Sequence, residues 1–116
     1  MKRPLARPRG LRWQVAQPSA KGYVVAEIAV TDAAAYEDYK PKAAALVAKY
    51  GGRYLVRGGP VRPLEGANPA GRVAVVEFDS VAQALAFYTS REYQDAAKIR
   101  QRSSTSRFFI VEGAPR

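Results

Sequence analysis

Three charged side chains stand in stretches that otherwise read as buried strand: Glu27 within YVVAEIAV, Arg57 at the end of RYLVR and Glu77 within RVAVVEFD. A guanidinium keeps its charge and offers a planar fork of donors, which suits it to clamp a carboxylate or an enolate. A carboxyl whose pKa is raised by burial can in turn move a proton. Removing one partner of a buried ion pair costs about 3 to 5 kcal/mol, so an interior Arg57 requires a carboxylate from Glu27, from Glu77 or from an anionic ligand. The competing reading is architectural: the three charges pair with one another, or Arg57 sits at a strand end and extends its head to water.

A second constellation is Tyr88, Ser90, Tyr93 and Arg100. The first three bracket a break in a helical pattern, and Arg100 follows Tyr93, Ala96 and Ala97 on one stripe. Tyrosines at helical spacing serve a core as readily as a reaction. Arg100 near a helix C-terminus would stabilise the helix dipole by about 0.3 to 1 kcal/mol. Together Glu27, Arg57, Glu77, Tyr88, Ser90, Tyr93 and Arg100 are the candidate pocket residues. In the functional reading Arg57 orients the ligand, and Glu77 or Tyr88 handles protons. With neither cysteine nor histidine in the chain, disulfides, thiolate zinc sites, the usual haem ligand and the commonest general base are all excluded. No metal and no cofactor is expected.

Charge narrows the partners. The formal net charge of +9 belongs largely to residues 1–20, which hold Lys2, Arg3, Arg7, Arg9 and Arg12 and no acid. That stretch carries +5 and three prolines, and it lacks the continuous apolar run of a secretory signal; it is expected to be a basic, flexible arm. Residues 21–116 carry only +4. Nucleic acid is therefore expected only through residues 1–20. No apolar run approaches the ~18 to 20 residues of a membrane span, so no membrane partner is expected; the lack of cysteine fits a reducing setting, and a cytoplasmic location is expected.

The elements that would position these side chains follow from periodicity. Tyr23 to Val30 is rich in β-branched residues and short enough for a strand. Asp32 then caps a helix whose stripe is Tyr36, Tyr39, Ala43, Leu46, Val47 and Tyr50, closed by Gly51 and Gly52. Pro41 falls inside it, where a missing amide and a ring clash predict a kink or a late start. Arg53 to Arg57 is a second strand, residues 58–71 a turn-rich connection, and Arg72 to Asp79 a third strand. Ser80 and Gln83 match a capping box before a helix that pauses at Thr89 and Ser90 and resumes. Arg107 to Glu112 closes the chain as a fourth strand.

The order β-α-β-β-α-β is α+β and ferredoxin-like, with residues 21–116 as a single domain. Both helices cover one sheet face. The other face would be bare and apolar, so a homodimer forming an α/β barrel is expected to cover it. Alternation sends Glu27 and Glu77 into that barrel interior, and Arg57, odd-numbered like Arg53 and Leu55, to the same side.

Tyr36 and Tyr39, Gly51-Gly52-Arg53-Tyr54, Arg57-Gly58-Gly59, Glu65-Gly66, Glu77-Phe78-x-Ser80, Tyr88-x-Ser90-x-x-Tyr93, Arg100 and Glu112-Gly113 form a pattern. Over about residues 21–114 it resembles the domain-of-unknown-function 1330 family. The resemblance implies a dimeric α/β barrel, in a superfamily that includes cofactor-free monooxygenases, lactone isomerases and haem-degrading enzymes. It transfers no catalytic residue. Two functions are expected to compete: a small-molecule enzyme or binder of cofactor-free oxygenase or isomerase type, for a small anionic or oxygenated compound, and a non-catalytic dimeric module with a polyanion-binding arm.

Overall fold

A computed structural model describes residues 20–115. The basic arm expected over residues 1–20 therefore lies, apart from Ala20, outside the described residues. The elements run β1 (Gly22–Val30), α1 (Ala33–Lys49), β2 (Arg53–Arg57), β3 (Arg72–Phe78), α2 (Val81–Thr89), α3 (Arg91–Ser103) and β4 (Ser104–Glu112). The strands form one antiparallel sheet in the order β2-β3-β1-β4, the ferredoxin-like arrangement. Among the described residues no helix is long and apolar enough to cross a membrane.

The helix boundaries follow their caps. The Asp32 carboxylate accepts from the Ala35 amide at 3.1 Å and opens α1. The helix runs through Pro41 instead of starting after it. Pro41 and Glu37 both lie on the exposed side, where the carbonyl that proline leaves unbonded can be hydrated. The Ser80 hydroxyl accepts from the Gln83 amide at 3.0 Å. The return half of the capping box is absent: the Gln83 side chain donates to the Tyr50 carbonyl at 2.6 Å. That carbonyl ends α1 without a helical partner, so the bond ties α2 to α1. Ser90 terminates α2 by donating to the Phe87 carbonyl at 2.8 Å and opens α3 by accepting from the Tyr93 amide at 3.1 Å. Strand β4 begins three residues earlier than its apolar run RFFIVE.

Alternation places Val24, Ala26 and Ile28 of β1 and Val76 and Phe78 of β3 against the helices, all buried. They meet Tyr39, Ala43 and Val47 of α1, Phe87 of α2, and Tyr93 and Ala97 of α3. A ladder of rings runs through this layer, Phe78 to Phe87 at 5.2 Å and Phe87 to Tyr93 at 4.5 Å between centroids. Such pairs add about 0.5 to 1.5 kcal/mol each beyond the area they bury. The opposite face carries no helix. Tyr23, Val25 and Glu27 stand there beside Glu77, Val75 and Val73 on one neighbour and Val111, Phe109 and Arg107 on the other.

Strand β2 corrects the sequence reading. Arg53 faces Glu77 and Tyr54 faces Val76, but Val56 then faces Val75, leaving Leu55 as an extra residue in a β-bulge. One inserted residue reverses the faces of all that follow. Arg57, paired with Ala74, therefore turns to the helix side, away from Glu27 and Glu77.

Candidate functional site

Between the sheet and α1 lies a cavity of about 220 Å³. Its strand side is Val24, Ala26, Ile28, Tyr54, Arg57, Arg72, Ala74, Val76 and Phe108; its helix side is Tyr36, Tyr39, Lys40, Ala43 and Val47 of α1 with Phe87 and Tyr93. Apolar strand residues shape the volume, and every titratable group in the lining is a tyrosine, an arginine or a lysine.

The outer end is cationic. The exposed Arg57 guanidinium lies 4.3 Å from the centre of the Tyr54 ring, and Arg72 lies 5.9 Å from that of Tyr36. Such contacts favour a cation by about 0.5 to 2 kcal/mol and hold its plane without neutralising it. Neither arginine takes part in an ion pair among the described residues. Lys40 is engaged with Glu37 at 2.9 Å. Gly58, at φ +74°, permits the arrangement, because a Cβ there would stand 2.7 Å from an Arg72 guanidinium nitrogen.

The inner end is phenolic. The Tyr39 and Tyr93 hydroxyls are 2.6 Å apart. Burial pushes the Tyr39 pKa far above its ordinary 10.0, and the neighbouring Tyr93 raises it further. Burial also raises Tyr93, against the opposing charge of Arg100 and the hydrogen bond with Tyr39. Tyr36 and Tyr54 are raised by burial too, with Arg72 and Arg57 respectively opposing. All four phenols are thus neutral donors at neutral pH. Arg100 stands beside the pair with only 4% of its surface exposed. Its Nη1 donates to the Ser106 hydroxyl at 2.5 Å, and its guanidinium lies 4.0 Å from the Phe108 ring centre. Its Nε is buried without a hydrogen-bond partner. Burial works against its charge, but the phenols of Tyr93, Tyr39 and Tyr88 more than offset that, and its pKa is raised.

Of the seven sequence candidates, Arg57 and Tyr93 line this cavity, and Arg100 is buried on the same helix as Tyr93, outside the lining. Tyr88 packs beside Tyr93 and Phe108, at 5.5 and 6.1 Å between centroids, outside the lining. Ser90 is occupied as a cap. Glu27 and Glu77 stand on the opposite face of the sheet. There Glu77 accepts from Arg53 Nε at 2.8 Å and from the Tyr23 hydroxyl at 3.1 Å, and Glu27 accepts from Arg107 at 2.7 Å. The expected cluster of Arg57 with Glu27 and Glu77 does not form, and Glu77 cannot serve protons to the cavity. Sequence reasoning missed Tyr36, Tyr39, Lys40, Tyr54, Arg72 and Phe108 as lining residues. Tyr54 and Arg72 were accessible by parity, since each shares its strand's helix-side alternation. Among the described residues no group of three His, Cys, Asp or Glu side chains could hold a metal.

Residues 21–114 match the family described as a domain of unknown function, DUF1330. No curated protein matches the chain. Among solved structures, the protein of unknown function RPA0582 from Rhodopseudomonas palustris superposes with a TM-score of 0.66 at 18% identity, covering 96% of this chain and 97% of that one. Methylated RPA0582 gives 0.69 at 17% identity, with 99% and 98% covered. SnoaB, a cofactor-independent oxygenase from Streptomyces nogalater, gives 0.60 at 17% identity, with 84% and 96% covered. At such identities the likeness carries the fold alone.

Proposed function

The chain belongs to the DUF1330 family, and from that premise we propose that it takes a compact, anionic, oxygenated small molecule into the cavity between sheet and helices. The observation that carries this reading is the pair Arg57 and Arg72. Two guanidinium groups border one tyrosine-lined cavity, and neither has a carboxylate partner among the described residues. A ligand carboxylate supplies the missing charge and can accept both forks. An engineered cavity of about 150 Å³ holds benzene, so 220 Å³ suits a single ring or a short chain with one or two polar substituents.

The chemistry favoured by this site is that of cofactor-free oxygenases and isomerases, which pass through an enolate or phenolate of the substrate itself. Cations and neutral phenols stabilise such an oxygen as its charge develops. No carboxylate lines the cavity, so a substrate acidic enough to ionise within a cationic site is required. The activity stated for SnoaB, on the same fold, supports this class.

A homodimer is part of the proposal. Leu55, Phe109 and Val111 are 49, 40 and 45% exposed on or beside the helix-free face, and a self-complementary apolar patch closes under two-fold symmetry. Thermal denaturation with millimolar benzoate against benzamide tests the ligand class. Benzoate is expected to raise Tm and benzamide, its neutral isostere, to leave it unchanged; equal shifts, or none, would remove the anion site.

A further inference from the structure

Arg100 is a cation at 4% exposure with no carboxylate partner among the described residues and one guanidinium nitrogen unbonded. Leaving a charge in that state is costly, whereas a well-packed apolar residue of similar volume is often neutral or stabilising at such a position. Its setting is specific nonetheless. Ser106 holds one arm, the Phe108 ring fixes its plane, and on the same buried stripe of α3 stands Tyr93, whose hydroxyl is 2.6 Å from that of Tyr39. Arginine only donates. Either hydroxyl of the pair can donate to the other; an anion in the cavity that both rings line selects the order in which Tyr93 O–H donates to Tyr39 and Tyr39 O–H to the ligand, and a cation beside Tyr93 strengthens both bonds.

We propose that Arg100 is a positioning residue that polarises the Tyr93–Tyr39 hydroxyl pair, so that the inner end of the cavity receives the ionised oxygen of a phenol or enol while Arg57 and Arg72 hold a carboxylate at the outer end. This deepens the reading of the cavity as an anion site and rests on it. The ligand class follows: small hydroxyaryl acids and enolisable keto acids, with the two oxygen functions at opposite ends. No bond is made or broken by Arg100 itself.

Two one-ring probes separate the ends: benzoate, a carboxylate alone, and 4-nitrophenol, whose ionisation is visible by absorbance. The intact protein is expected to bind 4-nitrophenolate at least about tenfold more tightly than the phenol, the low end of what a nearby positive charge produces. Arg100→Met is expected to erase that preference, Arg100→Lys to restore part of it, and benzoate affinity to change less than about twofold in either. Tyr93→Phe, which leaves Arg100 in place, must erase it as well, and it serves as the second variant where Arg100→Met fails to fold. An unchanged phenolate preference in these variants, with benzoate still bound, overturns the role of Arg100 and leaves the anion site standing. Equal losses for both probes also overturn it, since Arg100 would then act on any anion. Failure of the intact protein to bind either probe overturns the anion site and this inference together.

Discussion

The two faces of the sheet carry the same residue type in opposite settings. On the helix-free face Arg53 and Arg107 each meet a carboxylate at 2.7 Å, Glu77 and Glu27 respectively. On the helix side Arg57, Arg72 and Arg100 rest on the rings of Tyr54, Tyr36 and Phe108 and meet none. The first face has neutralised its charges within the chain, as a surface must if it is to be covered by apolar groups at little cost. The second has left its positive charge uncompensated around a hollow. The difference is why the unpaired arginines, and not the carboxylates among the strands, carry the proposed anion site.

The largest effect should come from breaking the packed side. Phe78→Ala removes a ring that is 1% exposed and should cost about 3 to 5 kcal/mol in chemical denaturation. Phe109→Asp, on the open face, should cost the isolated chain little and act on assembly instead. We expect the proposed dimer to dissociate about thirtyfold more readily in this variant, or about 2 kcal/mol, by sedimentation equilibrium. A wild-type chain that sediments as a monomer at micromolar concentration would break the comparison on that side.

Alkaline titration comes next. Tyr36, Tyr39, Tyr54 and Tyr93 have folded pKa values above the ordinary 10.0. The unfolded chain therefore releases phenolic protons first as pH rises. The stability these groups provide is complete below pH 10 and falls above it, by up to about 1.4 kcal/mol per pH unit for each fully shifted phenol. Tyr39→Phe should flatten that decline in denaturation curves taken from pH 9 to 11. The smallest effect lies on the exposed surface, where Lys49 donates to Glu92 at 2.7 Å and holds its pKa below 4.5. That contribution is present above pH 4.5 and lost as pH falls through the lower folded value. Lys49→Met should remove this acid-side dependence and, with it, the small stabilisation present at pH 7, by the same denaturation series.

Much of the fold was legible because alternation and helical stripes report burial directly. YVVAEIAV placed Val24, Ala26 and Ile28 inward and Glu27 outward from the helices, and the stripe from Tyr93 to Arg100 identified four buried positions correctly. The bulge at Leu55 was not legible. A leucine suits a regular strand as well as an inserted one, and the partner strand decides which it is; the parity of Arg57 therefore came out reversed. The cavity was hidden for a related reason. Tyr36 and Tyr39 read as a core stripe, and periodicity cannot distinguish a stripe that packs solidly from one that roofs an empty volume. The partners of Glu27 and Glu77 depended on strand order: Arg107 is 80 residues from Glu27 in the chain and adjacent in the sheet.

Benzoate titration by calorimetry, applied to two double variants, tests the contrast between the faces most directly. Arg57→Ala with Arg72→Ala should abolish binding, while Arg53→Ala with Arg107→Ala should leave the affinity within about threefold, an allowance well under one tenfold step of 1.4 kcal/mol. Binding that survives the first pair and fails with the second would place the anion on the helix-free face and contradict the assignment of the site.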